Sequence, residues 1–103
     1  MLYGDIKNLC YAVSMRTKKS LRDLRGIFAE ATELVRPGTV WRHYKGGIYT
    51  VTSLAFDEES LDIEVIYSPM DAEDITFTRW LSIWLETVEW QGAHIPRFEL
   101  ISK

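Results

Sequence analysis

The spacing of apolar residues divides the chain into two parts. Up to residue 36 the apolar positions recur every three or four residues, as in an amphipathic helix. After Pro37 apolar and polar residues alternate over short stretches, which is typical of half-buried strands. The pattern predicts a helical N-terminal arm, residues 1–36, followed by a small β domain, residues 37–103.

The arm is predicted to contain two helices. Asp5 can cap a first helix that runs to about Arg16. A second helix begins after Ser20, because Ser20 and Asp23 fit a variant of the capping box, and it ends before Pro37. We expect this helix to cover a face or edge of the sheet, or to contact a second copy of the chain. Its apolar stripe consists of Leu21, Leu24, Ile27, Phe28, Ala31 and Leu34 or Val35.

The β domain is predicted to contain five or six short antiparallel strands. Lys45, Gly46 and Gly47 indicate a tight hairpin turn, in which glycine supplies a positive φ. Residues 80–85 have the spacing of a short helical turn. The predicted fold is therefore α+β, with two helices before a small SH3-like β-barrel. The predicted strands are 39–44, 48–56, 61–67, 75–79, 87–90 and 97–101.

Charge divides the chain at the same position as the apolar pattern. The net charge of −3 combines a basic arm with an acidic β domain. Residues 1–36 carry seven basic and four acidic side chains, whereas residues 37–103 carry five basic and eleven acidic ones. This composition makes the β domain a poor general binder of nucleic acid.

Composition also bears on compartment and on metal binding. Cys10 is the only cysteine, so no intrachain disulfide can form, and a reducing, cytoplasmic location is expected. Cys10, His43 and His94 lack the spacing of metal ligands, so neither a metal site nor a cofactor is predicted. We expect no membrane segment, because no apolar stretch reaches 18 residues and no signal-peptide pattern is present.

Three separated motifs resemble one protein family. The stretch 41–51, Trp-Arg-His-Tyr-Lys-Gly-Gly-Ile-Tyr-Thr-Val, is similar to the opening of domain-of-unknown-function family sixteen-fifty-three. Residues 77–80 and 95–98 are similar to its later Trp-Val-Arg-Pro and Pro-Arg-Phe motifs, although Trp80 stands where the family has proline. The family is widespread in bacteria and phages. The resemblance implies a small β domain and a set of residues, and it implies no reaction.

Basic and aromatic residues of these motifs are candidates for one anion site. Guanidinium groups bind phosphate or carboxylate at two points, and neighbouring aromatic rings can stack on a ligand. The three segments could converge in a closed barrel. We therefore expect a non-enzymatic binding module for an anionic small molecule, for which a nucleotide is one candidate. The predicted ligand-binding residues are Arg42, His43, Tyr44, Lys45, Phe77, Arg79, Arg97 and Phe98.

The same residues also have a structural interpretation. Each arginine could pair with Glu86, Glu89 or Glu99, and Tyr44 and Phe98 could belong to the core. His43 could act as a general base, but nothing in the sequence looks like its nucleophile or its orienting partner. No catalytic residue is therefore predicted.

Two other functions remain open at this stage. The helical arm could bind a host protein or a second copy of the chain, as in a regulatory or interaction protein that forms homo-oligomers. The basic joint between the two helices could contact a nucleic-acid backbone, although a solvated face is the more common role of such a joint. The family's presence in phages also suggests, by analogy, a counter-defence role. The basic residues of the joint are Arg16, Lys18, Lys19, Arg22 and Arg25.

Overall fold

The structure is a computed structural model that describes residues 19–103. The described chain contains a long helix, seven strands and one short helix, so the α+β class is confirmed. The first predicted helix, from Asp5 to about Arg16, lies outside these residues. The elements are α1 (Leu21–Leu34), β1 (Val40–His43), β2 (Ile48–Phe56), β3 (Ile63–Pro69), β4 (Phe77–Trp80), α2 (Leu81–Trp84), β5 (Thr87–Trp90), β6 (Ala93–Pro96) and β7 (Phe98–Ser102).

Helix α1 begins where the capping pattern predicts. The Ser20 hydroxyl accepts the Asp23 backbone N–H, and the Asp23 carboxylate accepts the Ser20 N–H, both at 3.1 Å. This reciprocal capping box satisfies two amide groups that have no partner within the helix. The helix ends at Leu34, shortly before Pro37. Between residues 19 and 103 no helix is both long and apolar enough to cross a membrane.

The apolar stripe of α1 is narrower than predicted. Ala31 and Val35 are buried in the main core together with residues of the sheet. Leu21 and Leu34, at the two ends of the helix, are 68% and 56% exposed. The helix therefore packs on the sheet mainly through the middle of its stripe and the residue that follows its last turn.

Five strands form one antiparallel sheet in the order β4-β3-β2-β1-β7, and β5 and β6 form a separate hairpin. Among the described strands, β4 and β7 each pair with one neighbour only, so this sheet does not close. The predicted SH3-like barrel is therefore not confirmed.

Four predicted strands differ in their bounds from the observed ones, and a seventh strand was not predicted. Strand β1 lacks the two end residues of the predicted 39–44, and β4 spans Phe77–Trp80 instead of 75–79. Leu61 belongs to the preceding turn, with a φ of +61°, so β3 starts two residues later than predicted. The predicted strand 97–101 is preceded by β6, which the sequence pattern did not indicate. Arg97 separates β6 from β7, because its backbone N–H donates to the Glu86 carbonyl at 2.8 Å.

Trp84 lies at the centre of an aromatic core. Its side chain is 1% exposed and stacks on Phe98, with 3.7 Å between ring centroids and planes 5° apart. The edges of Trp41 and Tyr67 approach Trp84 at 5.6 and 4.9 Å. The short helix α2 thus places one tryptophan against β1, β3 and β7, and the candidate site lies beside this cluster.

Candidate functional site

One pocket of about 360 Å³ brings together residues from three of the predicted motifs. It lies where the turn between β1 and β2 approaches β3, β4 and β7. Four of the eight predicted residues line it, together with three that were not predicted. The lining residues are His43, Lys45, Gly47, Tyr49, Tyr67, Arg79 and Phe98.

The turn after β1 fixes the His43 ring. The His43 backbone N–H donates to the Gly47 carbonyl, and the Gly46 N–H donates to the His43 carbonyl, both at 2.7 Å. Gly46 adopts a φ of +109°, a conformation that favours glycine. The Lys45 backbone N–H donates to His43 Nδ1 at 3.2 Å. The neutral ring therefore carries its proton on Nε2, which leaves an N–H donor for a ligand.

Several cations surround His43. Burial and the neighbouring charges of Arg79, Arg97 and Lys45 lower the pKa of His43 below its ordinary value of about 6.5. The ring also meets Phe98 edge to face, with 5.0 Å between centroids. His43 is therefore neutral near pH 7 and lies in a locally positive field.

Arg79 is held by neutral partners. Its Nε–H donates to the Tyr67 hydroxyl at 3.3 Å, and its guanidinium carbon lies 5.4 Å from the centre of the Phe98 ring. Within residues 19–103 no carboxylate forms an ion pair with Arg79. The partially buried guanidinium is thus oriented, but no acidic side chain in the described part of the chain compensates its charge.

Aromatic rings form the floor and one wall of the pocket. Phe98, which is 4% exposed, is the floor, and the rings of Tyr49 and Tyr67 meet it at 6.2 and 6.0 Å. A Cβ atom at Gly47 would lie only 2.8 Å from the Tyr49 ring. Gly47 is therefore the residue that lets the Tyr49 ring pack against the turn.

Gly47, Tyr49 and Tyr67 are the lining residues that sequence reasoning missed. In the strand register Tyr49 is opposite Trp41, and Tyr67 is opposite Val51. Opposed residues in an antiparallel pair share a face of the sheet. Because Trp41 and His43 lie on the same face of β1, this register places both tyrosines on the face of His43. The sequence alone does not specify the register, so the two tyrosines could not be predicted.

Of the three arginines that could have converged in a closed barrel, Arg79 lines this pocket, and Arg42 and Arg97 do not. Arg42 alternates to the other face of β1, where Nη1 lies 3.1 Å from an oxygen of the cross-strand Glu99. Arg97 donates from Nη2 to Glu86 Oε1 and from Nε to the Ile83 carbonyl, both at 3.1 Å. Arg42 and Arg97 therefore have the structural partners that the alternative interpretation named.

Tyr44 and Phe77 lie beside the pocket without lining it. The Tyr44 ring meets Trp90 of the β5–β6 hairpin at 5.1 Å and His43 at 4.5 Å. Phe77 is 43% exposed on the edge strand β4, and its ring lies 5.8 Å from that of Tyr67. Their predicted role in ligand binding stays a prediction.

The basic joint is described only in part. Lys19, Arg22 and Arg25 are exposed at the start of α1, whereas Arg16 and Lys18 lie outside the described residues. The described part of the chain contains no group of three or more His, Cys, Asp or Glu residues placed to hold a metal ion. The candidate site is the pocket beside His43.

Comparisons with known proteins agree with the resemblance of the motifs. Residues 39–100 match the model of DUF1653, a family described as a protein of unknown function. The chain is also similar to a solved structure, the crystal structure of a DUF1653 protein from Bordetella bronchiseptica. The two share 37% identity and a TM-score of 0.59 over 69% of this chain and 92% of that one. No curated protein matches the chain significantly. Because the family model matches more than half of the sequence, the chain belongs to the DUF1653 family.

Proposed function

We propose that the β domain is a non-enzymatic binding module that holds an anionic small molecule in the pocket between His43, Lys45 and Arg79. One observation carries the proposal. Of the basic side chains in β1–β7 and their turns, Arg42 and Arg97 pair with carboxylates, whereas Lys45 and Arg79 line one pocket without a carboxylate partner in the described chain.

The charge of the surrounding domain makes this arrangement unusual. Residues 37–103 carry eleven acidic side chains, yet none of them lines the pocket. The charges of Lys45 and Arg79 both act on His43, so an anion bound in this pocket would be attracted by both. A bound anion would also use hydrogen-bond donors that the fold leaves available, at His43 Nε2 and at the guanidinium of Arg79.

A nucleotide is the ligand that we propose to test first. Its phosphate would bind the cationic rim, and its base could contact the exposed aromatic side chains beside the pocket, such as Phe77. The proposal of a binding module rather than an enzyme is supported by the chemistry of the lining, because among residues 19–103 no serine, cysteine or carboxylate lines the pocket beside His43.

Isothermal titration with mono-, di- and cyclic nucleotides tests the proposal. We expect heat of binding with at least one of them, and we expect Arg79→Ala to weaken that binding by about tenfold or more, since a charge-assisted hydrogen bond is lost. Arg42→Ala is the matched control, because it removes an arginine of the same domain that lies on the opposite face of the sheet.

The absence of heat with every nucleotide, together with an unchanged melting temperature, would rule out the nucleotide version. Equal loss of binding in Arg79→Ala and Arg42→Ala would rule out this pocket. Both variants should first be shown to melt cooperatively, so that a loss of binding is not a loss of fold.

The other expected functions stay predictions. They are binding of a host protein or a second copy through the helical arm, contact of nucleic acid with the basic joint, a counter-defence role and a cytoplasmic location. Substitution of the exposed residues Leu21 and Leu34 of α1 by glutamate tests the first, because deletion of the arm would also remove the core residues Ala31 and Val35. A steep loss of binding with added salt is the mark of the second.

A further inference from the structure

We infer that the pocket selects the dianionic terminal phosphate of a small phosphate monoester, in preference to a carboxylate or a singly charged anion. This inference rests on the proposed function, because it names the chemical class of the anion that the same pocket would hold. Three features of the pocket carry it: its charge, its free hydrogen-bond donors, and the coverage of its aromatic floor by other side chains.

The charge of the lining favours a dianion. Lys45 and Arg79 supply two cationic side chains, the lowered pKa of His43 keeps its ring neutral near pH 7, and no acidic side chain of residues 19–103 lines the pocket. Two positive charges are therefore compensated by an anion of charge −2. A monoester phosphate carries between about −1.5 and −2 at pH 7, whereas a carboxylate carries −1.

The free donors favour three oxygen atoms over two. Arg79 uses Nε for the Tyr67 hydroxyl, which leaves its two terminal nitrogens for a ligand. His43 uses Nδ1 for the Lys45 N–H, which leaves Nε2. The third donor comes from the lining residue Lys45, whose ammonium group lies 5.7 Å from the centre of the Tyr44 ring and whose exposed side chain is long enough to turn toward a ligand. These donors come from β4, from the end of β1 and from the turn, so they approach from separate segments. A monoester phosphate offers three terminal oxygens, and a carboxylate offers two.

The aromatic floor favours binding of the phosphate group of a ligand over stacking of a ligand ring. One face of Phe98 is covered by Trp84 at 3.7 Å. The Arg79 guanidinium lies 5.4 Å from the Phe98 ring centre, and the rings of His43, Tyr49 and Tyr67 pack against the same ring at steep angles, so that Phe98 is 4% exposed. A ligand ring therefore has little of Phe98 left to stack on. At about 360 Å³ the pocket is also near the small end of ligand sites.

Three probes that share one phenyl ring test the inference by isothermal titration on the full chain at pH 7.5. They are phenyl phosphate, phenyl sulfate and benzoate. Phenyl sulfate keeps three terminal oxygens but has one negative charge, so it separates the effect of charge from that of geometry. We expect phenyl phosphate to bind at least about tenfold more tightly than phenyl sulfate, because its second charge faces two cations. Benzoate should bind most weakly.

Two variants show whether the preference comes from this pocket. Arg79→Ala and Lys45→Ala should each reduce the affinity for phenyl phosphate by about tenfold, and should bring it close to the affinity for phenyl sulfate. Lys45 is exposed, so its variant keeps the test valid if Arg79→Ala does not fold. Arg42→Ala should leave all three affinities within about twofold of the parent values, as its guanidinium pairs with Glu99.

The possible failures are distinguishable. Equal affinity for phenyl phosphate, phenyl sulfate and benzoate would overturn the inference and leave the proposed anion site in place. A preference for phosphate that survives in both Arg79→Ala and Lys45→Ala would also overturn it. If none of the three probes binds, and no nucleotide binds either, the proposed function itself fails.

Discussion

Arg79 and Arg97 both lie close enough to His43 to lower its pKa, yet the two arginines meet different partners. Arg97 forms a clamp with Glu86 and the Ile83 carbonyl, and this clamp joins the end of α2 to the start of β7. Arg79 meets a tyrosine hydroxyl and the face of a phenylalanine ring. We call the two regions the Arg97 clamp and the Arg79 pocket.

The difference between the two regions lies in whether the charge is compensated. A carboxylate partner neutralises Arg97 and ties it to the fold, so this arginine has little left to offer a ligand. Neutral partners orient Arg79 without cancelling its charge, which is the state that a binding site for an anion requires. Two arginines of one small domain therefore differ in what they leave for a ligand, because Glu86 pairs with Arg97 and no carboxylate of residues 19–103 pairs with Arg79.

The largest effect on stability is expected at Trp84, because its ring packs beside both the Arg97 clamp and the Arg79 pocket. Trp84→Ala removes a fully buried ring that stacks on Phe98, and we expect it to lower the free energy of unfolding by about 3–5 kcal/mol. Urea unfolding followed by circular dichroism measures the loss. Trp80→Ala is the matched control, since Trp80 is 40% exposed and should cost under about 1 kcal/mol. Equal losses in the two variants would contradict the central place of Trp84.

Breaking the Arg97 clamp should affect stability more than binding. The Arg97 side chain is 21% exposed, and Arg97→Ala removes two hydrogen bonds, so we expect a loss of about 1–3 kcal/mol in urea unfolding. Arg42→Ala breaks an ion pair of the same 3.1 Å length, but there the arginine is 49% exposed, and we expect a loss of under about 1 kcal/mol. A larger loss of unfolding free energy in Arg42→Ala than in Arg97→Ala would contradict the structural role of the Arg97 clamp.

A glycine substitution should disturb the Arg79 pocket alone. Gly47→Ala places a Cβ atom 2.8 Å from the Tyr49 ring, which must then move, and we expect a loss of about 1 kcal/mol with weaker anion binding. Gly26→Ala is the control in helix α1, where the new Cβ meets nothing within 4 Å and should stabilise the protein by about 0.5–1 kcal/mol. Thermal melting measures both changes. If Gly47→Ala is neutral for stability and for binding, the Tyr49 wall has no role.

The smallest effect on stability is expected from the protonation of His43 at low pH. Because the pKa of His43 is lowered in the folded protein, the unfolded chain binds this proton more readily. The stability that His43 contributes is therefore fully present above about pH 6.5 and is lost as the pH falls through the lowered value. His43→Gln should reduce the slope of unfolding free energy against pH in this range. An unchanged slope would show that His43 does not lie in a positive, partly desolvated environment.

Much of the fold could be predicted from local sequence signals. Ser20 and Asp23 mark the start of α1, and the glycines after Lys45 mark the hairpin turn. These features depend on residues close together in the chain. The open sheet could not be predicted in the same way, because closure depends on whether β4 and β7 pair with each other, and alternation alone does not specify pairing.

The candidate site was predictable in part for the same reason. His43 and Lys45 come from one motif, and strand alternation correctly separates them from Arg42. The roles of Arg79 and Arg97 depend on whether a carboxylate lies beside each one, and Glu86 meets Arg97 because the residues after α2 lie next to the start of β7. Tyr49 and Tyr67 carry no distinctive local motif, and only the strand register brings them to the pocket.

Arginine side-chain NMR during a titration with phenyl phosphate tests the contrast between the two regions most directly. The Nε–H signals of Arg79 and Arg97 can be assigned by their disappearance in Arg79→Ala and Arg97→Ala. We predict that the Arg79 signal shifts in a saturable way and that the Arg97 signal moves far less, because Glu86 holds its guanidinium. A saturable shift of Arg97 with a stationary Arg79 would contradict the account.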